Sequence, residues 1–346
     1  MARDYPKQTV RSAASRRVLQ RAAGLAEGLE SLAHKPVKMW RTKGFPYRAP
    51  SVPRGVEVPP KESTLGADFD TDFARGPGSR FVRRLLVAGP VAGMVQFLAR
   101  PKIEGTDRLS DLANNESVGG VIFAPNHHSH LDTPLMVTAV PKPWRDRLVV
   151  AAAADYFFDK RLKGTMAALA LNAIPIDRET TSRKSSDQLR HLLARDWSLV
   201  IYPEGGRSPD GWGQEFKAGA AYLSAKTGAP VVPVFIDGTG AIFGKGMKRP
   251  KRGHVRVVFG APLWPSDDEN TRRYNERIER AVTLLGDEST SDFWTARRRA
   301  ARGESTPLTG PDYSGWRRQW ALYEHRKTGV AGQRRRQKRR WPDLGR

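Results

Sequence analysis

The chain of 346 residues contains no cysteine. That absence excludes disulfide bonds, a thiolate nucleophile and a cysteine-ligated zinc site. Any covalent or metal chemistry must therefore use histidine, carboxylate, hydroxyl or lysine side chains. The sequence also has no Gly-x-Ser-x-Gly motif, so the turn that presents the nucleophilic serine of many hydrolases is not predicted.

Long hydrophobic runs are scarce. The longest apolar stretch, LLVAGPVAGMVQFLA at residues 85–99, falls short of the roughly 20 residues of a membrane-spanning helix, and Gly89-Pro90 is expected to interrupt it. Two interpretations stay open, an in-plane or hairpin-like membrane contact and an ordinary buried helix. No apolar segment follows the charged start, so no targeting segment is predicted and a cytoplasmic location is expected.

Acidic residues are few relative to basic ones. The chain has 59 Lys and Arg against 36 Asp and Glu, a formal net charge of +23, and 39% hydrophobic residues, enough to exclude disorder along the whole chain. Residues 1–60 carry a net +8 and residues 291–346 a net +10, whereas residues 61–290 carry only +5. The charge therefore lies mostly outside the predicted globular core.

Composition predicts four regions. Residues 1–60 combine a basic amphipathic helix within 9–33, which suits either an anionic surface or docking on the core, with a Pro-rich linker. Residues 61–110 are predicted to form a helical membrane-contact region, residues 111–290 an α/β domain, and residues 291–346 a basic tail rich in Trp and Arg. The arginine runs of that tail also suit nucleic acid, which is the alternative, less favoured partner.

Between residues 118 and 288, short apolar runs alternate with helical patterns. Such runs, β-branched or apolar and ending in turn residues, are typical of strands buried on both faces of a sheet. The pattern predicts an α/β fold with a mostly parallel sheet covered by helices. The six predicted strands lie within 118–126, 147–154, 172–178, 197–205, 230–238 and 254–262, and the closing helix within 270–285.

The loop after the first predicted strand reads NHHSHLD, residues 126–132. In a tight strand-to-helix turn, the Asp132 carboxylate can hold one ring nitrogen of His127 and leave the other to take a proton from a substrate hydroxyl. A metal site formed by the three histidines with Asp132 is the less favoured interpretation, because their side chains alternate in direction. A third interpretation is a polar loop that only satisfies a turn and a helix N-terminus.

Two further loops at strand ends carry cationic and flexible residues. The segment YPEGGRS, residues 202–208, combines a carboxylate, two glycines and Arg207, whose planar guanidinium suits a phosphate. The third predicted strand ends in IPIDR and adds Arg178. Because parallel strands end at the same edge of a sheet, these groups and the His-Asp pair are expected to face one cleft.

The ordered set NHHSHLD, IPIDR, YPEGGRS with FKAGA, and VVPV resembles the four motifs of the glycerolipid acyltransferases, the family of 1-acylglycerol-3-phosphate acyltransferases. The resemblance covers residues 115–265 and neither tail. It implies an α/β domain at a membrane surface that moves a fatty acyl group from an acyl-CoA or acyl-carrier-protein thioester to a glycerophosphate hydroxyl. The implied acceptor is a lysophospholipid, lysophosphatidic acid by default, with another lysolipid or glycerol 3-phosphate as alternatives.

The resemblance also implies residue roles. His127 would be the general base and Asp132 its orienting partner. Pro233 of the fourth motif would shape the acyl-donor side, and Lys217 is a further phosphate-contact candidate by its charge and placement. The implied acceptor-binding residues are Arg178, Glu204, Gly205, Arg207 and Ser208.

The resemblance is incomplete at two positions. Gly206 stands where the family usually has Thr, and His130 adds a titratable side chain beside the base, and both positions bear on the identity of the acceptor more than on the reaction. No metal or redox cofactor is expected, because a thioester is already activated. The expected location is the cytoplasmic side of the cell membrane, as a peripheral or monotopic protein. A domain that has lost catalysis is a third hypothesis, disfavoured by the intact His-Asp pair.

Overall fold

The computed structural model describes residues 66, 68–115, 118–176, 183–312 and 315–328. Several sequence predictions fall outside these residues: the amphipathic helix within 9–33, the Pro-rich linker, Arg178, and the basic run at 334–340. Two stretches of the predicted basic tail do lie within them and are helical.

A seven-stranded sheet lies at the centre of the described fold, in the order β1-β7-β6-β2-β5-β3-β4. Neighbouring strands pair in parallel everywhere except between β6 and β7. The prediction of a mostly parallel sheet is therefore confirmed. The strands are β1 (Lys102–Glu104), β2 (Ile122–Pro125), β3 (Leu148–Ala153), β4 (Ala173–Ile176), β5 (Ser198–Val200), β6 (Val231–Asp237) and β7 (Arg256–Phe259).

All six predicted strands are present as β2 to β7, while β1 has no counterpart among the predictions. Three residues, two of them charged, leave too little apolar pattern to mark a strand. β1 pairs in parallel with β7 at the edge of the sheet, where Ile103 lies opposite Val257. The long-range pairing, which no local pattern records, makes this segment a strand.

Eleven α-helices accompany the sheet among the described residues. The predicted alternation of helices with strands is confirmed by α3, α5, α6 and α7, and the predicted closing helix, α9, is longer than its pattern. In chain order they are α1 (Pro77–Ala99), α2 (Ser110–Asn114), α3 (Asp132–Ala139), α4 (Ala154–Phe157), α5 (Arg161–Leu171), α6 (Arg183–Leu193), α7 (Gly219–Thr227), α8 (Thr239–Phe243), α9 (Thr271–Thr290), α10 (Phe293–Arg302) and α11 (Gly315–Thr328).

Apolar clusters cover both faces of the sheet, because successive strand residues point to opposite sides. Phe123 packs edge-on against Trp144 and Phe259 in the cluster that contains residues of α1 and α3. Its neighbour Ile122 belongs to the second cluster, which contains residues of α6, α7 and α9. Burial on both faces explains why the strand sequences are apolar almost throughout.

The helix α1 corrects one expectation. Gly89-Pro90 does not interrupt the apolar stretch, because the helix widens into a single π-type turn at Val87–Val91 and continues. A widened turn accommodates proline, which lacks an N–H and would otherwise clash with the carbonyl four residues earlier. The 23 residues of α1 are long and apolar enough to cross a membrane, by length and composition, and only 11% of the apolar window is buried.

A buried arginine attaches α1 to α5. The Arg83 guanidinium donates to the carbonyls of Ala168 (3.1 Å) and Leu169 (3.0 Å), near the C-terminal end of α5, and to that of Ala74 (2.6 Å). Burial, with the nearby charges of Arg75 and Arg80, lowers the pKa of Arg83 to about 10. Arg83 remains charged at neutral pH and satisfies carbonyls that a helix end leaves without partners.

Candidate active site

The histidine-containing loop and the YPEGGRS loop follow β2 and β5, which are neighbouring parallel strands with Ile122 opposite Leu199. Their carboxyl ends lie at the same edge of the sheet, so the two loops meet there. The peptide groups confirm this contact, since Ser208 N–H donates to the carbonyl of His127 at 2.9 Å. His127 and Ser208 are about 80 positions apart in the sequence.

The predicted His-Asp pair is formed. His127 Nδ1 lies 2.9 Å from Asp132 Oδ2, and the same oxygen accepts the backbone N–H groups of His128 (2.7 Å) and Ser129 (2.8 Å). Asp132 is the first residue of α3 and is fully buried. The same carboxylate therefore both closes the turn and fixes the orientation of the His127 ring.

The charge state of Asp132 follows from these contacts. Burial alone would raise the pKa of Asp132, but the hydrogen bonds and charge of His127 and the N–H of Ser129 outweigh burial, so the pKa lies below its ordinary value. An ionised Asp132 accepts the Nδ1–H of His127, which leaves Nε2 as the proton acceptor of the imidazole. The His127 side chain is 14% exposed, enough to meet a substrate.

Tyr202 is a site residue whose role the sequence did not indicate. Its ring stacks on that of His127, with centroids 4.0 Å apart and planes 24° apart, and its hydroxyl lies 3.2 Å from Thr133 Oγ1. Burial raises the pKa of Tyr202 well above its ordinary value, so the phenol stays neutral. Two constraints, the carboxylate and the stacked ring, thus hold the imidazole plane.

Glu204 was expected to contact the acceptor, and the structure places its carboxyl group between the histidine loop and the chain after β5. It is 3% exposed, and its two oxygens accept the backbone N–H groups of His127 (2.8 Å) and Gln214 (3.0 Å). Burial raises the pKa of Glu204 to about 8, against the effect of those two donors. The carboxyl group connects the loop after β2 to the loop after β5, and an acceptor contact by Glu204 stays a prediction.

Arg207 lies against the histidine loop. Its guanidinium donates to Nε2 of His130 and lies 5.7 Å from the ring centroid of Tyr156, while the Tyr156 hydroxyl is 3.4 Å from His130 Nδ1. Lys163 Nζ lies 4.3 Å from the same ring. Two cations thus flank one exposed aromatic ring beside the histidine loop, an arrangement that suits a phosphate group.

His130 is neutral in this arrangement. Burial, the charge of Arg207 and that of His127 lower the pKa of His130, and Asp132 opposes them only in part. A neutral imidazole whose Nε2 accepts from Arg207 must carry its proton on Nδ1, facing Tyr156. The additional histidine in the motif therefore holds Arg207 in place.

The remaining predicted residues are divided between the cleft and its surroundings. Gly205 adopts a positive φ of 69°, and a Cβ there would lie 3.1 Å from the Lys217 side chain, so glycine permits this close approach. Gly205 and Lys217 line the same cavity as His127. Ser208 is buried and accepts the N–H of Gly211 at 2.7 Å. Pro233 is buried within β6 opposite Ala124, outside that cavity's lining.

The cavity into which His127 opens has a volume of about 690 Å³. A cavity of this size, apolar with a few polar groups, is typical of a small-molecule site. Ser185, Asp187 and Thr271 add polar groups to its wall. The apolar lining consists of Ala151, Ala152, Ala153, Phe157, Ile176, Leu189, Ile201, Tyr222 and Leu223.

No metal-binding geometry accompanies the histidines: in the part of the chain that the structure describes, no three His, Cys, Asp or Glu side chains are grouped to hold an ion. The carboxylate of Asp132 is directed to one ring nitrogen and two backbone N–H groups. His130 instead faces Arg207 and Tyr156.

The buried Glu204 predicts a pH dependence of stability. Its folded pKa of about 8 exceeds the ordinary 4.5, so the folded chain binds more protons between those values. The free energy of unfolding should therefore fall as pH rises from about 5 to about 8, on the order of 3 kcal/mol for this group. Glu204→Gln should flatten that slope in urea unfolding, whereas the exposed Glu276→Gln should not. Parallel slopes for wild type and Glu204→Gln would contradict the assignment.

Comparison with known proteins agrees with this geometry. The sequence model of the family described as Acyltransferase matches residues 100–237. The chain is similar to 1-acyl-sn-glycerol-3-phosphate acyltransferases: 28% identical to that of Cocos nucifera over 212 residues, which is 60% of this chain and 64% of the relative. It is 42% identical to the chloroplastic BAT2 of Brassica napus over 76 residues, 22% of each chain. The chain thus spans less than two thirds of the length of these relatives.

Among solved structures, the 1-acyl-sn-glycerophosphate acyltransferase PlsC of Thermotoga maritima matches with a TM-score of 0.46 and 21% sequence identity. The match covers 64% of this chain and 84% of that chain. The matched residues 100–237 contain the histidine loop, the YPEGGRS loop and the strands that carry them. By its motifs, by the family model over residues 100–237 and by its curated relatives, the chain is similar to the glycerolipid acyltransferases.

Proposed function

We propose that the protein transfers a fatty acyl group from a thioester donor to the free hydroxyl of 1-acylglycerol-3-phosphate, producing phosphatidic acid. The observation that carries the proposal is the Asp132-oriented His127 at the mouth of an apolar cavity, with Arg207 held on the adjoining loop. The curated relatives are named for this acceptor. Another lysolipid or glycerol 3-phosphate is the alternative acceptor, because Gly206 replaces the usual Thr.

The proton transfers follow from the orientation of His127. Nε2 takes the proton of the acceptor hydroxyl as its oxygen attacks the thioester carbonyl carbon. The resulting imidazolium is stabilised by Asp132, which remains ionised. When the tetrahedral intermediate collapses, the carbon–sulfur bond breaks and His127 returns its proton to the leaving thiolate. The ester forms without a covalent intermediate on the enzyme.

The cavity provides the environment for an acyl chain. Burying apolar chain surface is favourable in proportion to the area removed from water, roughly 25 cal/mol per Å². Ala151 and Ala152 of β3, Ile176 of β4 and Ile201 after β5 form an apolar wall beside His127. A fatty chain lying along this wall would place its carbonyl near the imidazole.

The donor and the absence of a cofactor belong to the proposal as well. A thioester is already activated, so a general base and two oriented substrates are sufficient and no metal or redox cofactor is required. Lys217 lines the cavity and adds a positive charge near its mouth. That charge suits the acidic phosphate groups of either acyl-CoA or acyl-carrier protein.

His127→Ala and Asp132→Asn should each lower the rate of acyl transfer by at least about 100-fold, the contribution expected of a positioned general base. The measurement uses labelled acyl donors with lysophosphatidic acid, and identifies the product by mass. His191→Ala, which changes an exposed histidine outside the cavity lining, should retain the wild-type rate. Transfer at the wild-type rate by folded His127→Ala would refute the mechanism.

Arg207→Gln should raise the KM for the acceptor about 10- to 100-fold, because a charge-assisted hydrogen bond to phosphate is lost. The KM for the donor should change little, since the guanidinium contacts neither the thioester nor the base. Arg280→Gln, on the exposed side of α9, is the matched control. An unchanged acceptor KM in Arg207→Gln would exclude a phosphate-binding role.

We further propose that the described part of the chain binds the cytoplasmic side of a membrane through α1 and α5. Phe81, Leu85 and Phe97 of α1 are each more than half exposed. Leu162 and Met166 of α5, the helix to which Arg83 attaches α1, are also exposed. An exposed apolar face of this kind is typical of an in-plane membrane contact. Anionic lipid would add attraction to a chain of net charge +23.

Replacing the outer face of α1 tests the membrane contact. The double variant Phe81→Ser with Leu85→Ser should float with vesicles of phosphatidylcholine and phosphatidylglycerol several-fold less than wild type, because less apolar surface enters the bilayer. Trp264→Ser, which removes a half-exposed aromatic elsewhere, should float normally. Equal flotation of the double variant and wild type would place the membrane contact elsewhere in the chain.

A further inference from the structure

The C-terminal segment lies against the active-site loop, a contact that neither the motifs nor the family match contains. Arg318 of α11 forms an ion pair with Asp210, with Nε 3.0 Å and Nη2 2.9 Å from Asp210 Oδ2. The same guanidinium donates to the carbonyls of Pro311 (2.8 Å) and Thr309 (3.0 Å). One side chain therefore organises its own segment and attaches that segment to the loop after β5.

A second set of contacts reinforces the first. The indole Nε1 of Trp212 donates to the carbonyl of Arg318 at 3.2 Å, and Gly213 N–H donates to the carbonyl of Leu308 at 2.8 Å. Gly310 has a φ of 73°, and a Cβ there would lie 2.3 Å from the Trp212 ring. The indole is buried, and glycine is required for this close packing.

The residues that the segment holds are in the loop that carries the acceptor site. Asp210 Oδ1 accepts the N–H of Trp212 (3.0 Å), and Ser208 Oγ accepts that of Gly211 (2.7 Å). Gln214 donates its side-chain amide to the Gly206 carbonyl (3.0 Å) and its N–H to Glu204 (3.0 Å). Together with the backbone of residues 210–214, these hydrogen bonds connect Arg318 to Gly206 and Ser208, the two neighbours of Arg207.

We propose that residues 305–312 and 315–322 act as a clasp that positions the loop of residues 206–214, with Arg318 as its central positioning residue. The family match covers residues 100–237, and the clasp residues follow it in the chain. The clasp is therefore an addition to the matched region. Its effect on catalysis rests on the proposed function, because it acts through Arg207. Its effect on the loop's conformation does not, because that effect follows from the contacts alone.

The ion pair is suited to this role because of its burial. The side chains of Arg318 and Asp210 are only 25% and 29% exposed, less than those of most ion pairs in the described residues. A paired guanidinium that also serves two carbonyls leaves several groups without partners when it is removed. Arg317, the adjacent residue, is exposed and stacks near Trp316, so it provides a matched control.

The experiment compares Arg318→Gln, Arg318→Lys and Arg317→Gln in the full chain. Arg318→Gln should speed hydrogen exchange at the amides of Gly211, Trp212 and Gln214 about tenfold, with β2 and β6 unchanged. It should also raise the acceptor KM with kcat and the donor KM nearly unchanged. The exchange rates and acceptor KM of Arg318→Lys should lie between those of Arg318→Gln and wild type, because lysine keeps the charge but lacks the several donors of the planar guanidinium. Arg317→Gln should match wild type.

Asp210→Asn tests the same pair from the loop side and should reproduce the exchange result. The double variant Asp210→Asn with Arg318→Gln should exchange little faster than either single variant, because both substitutions break the same ion pair. Unchanged exchange in the loop for both single variants would overturn the proposal, and so would faster exchange spread equally over β2 and β6. If wild type transfers no acyl group, the exchange result alone still decides the clasp, and the proposed function fails separately.

Discussion

One buried carboxylate oxygen, Oδ2 of Asp132, determines the arrangement of the histidine loop. It accepts two backbone N–H groups and the His127 ring, so the turn and the imidazole orientation are fixed by the same atom. Removing a buried carboxylate from water is costly, and only donors on several sides offset that cost. The four-residue spacing in the motif lets these donors converge on the first residue of α3.

Glu204 extends that constraint to the neighbouring strand. Its two oxygens connect the loop after β2 to the chain beyond β5, so the base and the proposed phosphate-binding residue keep a constant separation. Burial disfavours the charged form of Glu204, and the backbone donors favour it. The cleft is therefore assembled over a group whose protonation state is finely balanced near neutral pH.

The sequence predicts most of the fold and the catalytic pair, and the reasons are local. The apolar runs of β2 to β7 and the His127–Asp132 spacing act over a few residues, where a pattern can be read directly. β1 depends on pairing with β7, and the continuation of α1 through Pro90 depends on one widened turn. Tyr202 and Glu204 lie in a recognised motif, but their contacts with His127 join segments far apart in the chain.

Arg83 fixes the position of α1 relative to α5. Its guanidinium fills the C-terminal end of α5, so α1 cannot separate from α5 without stranding a buried charge and several carbonyls. Lys163 lies near the other end of α5, two residues into the helix, and sits over Tyr156 beside Arg207. If α1 rests in a bilayer as proposed, its depth would then set the height of Lys163 and Arg207 above the lipid, and with it the position of the proposed phosphate site.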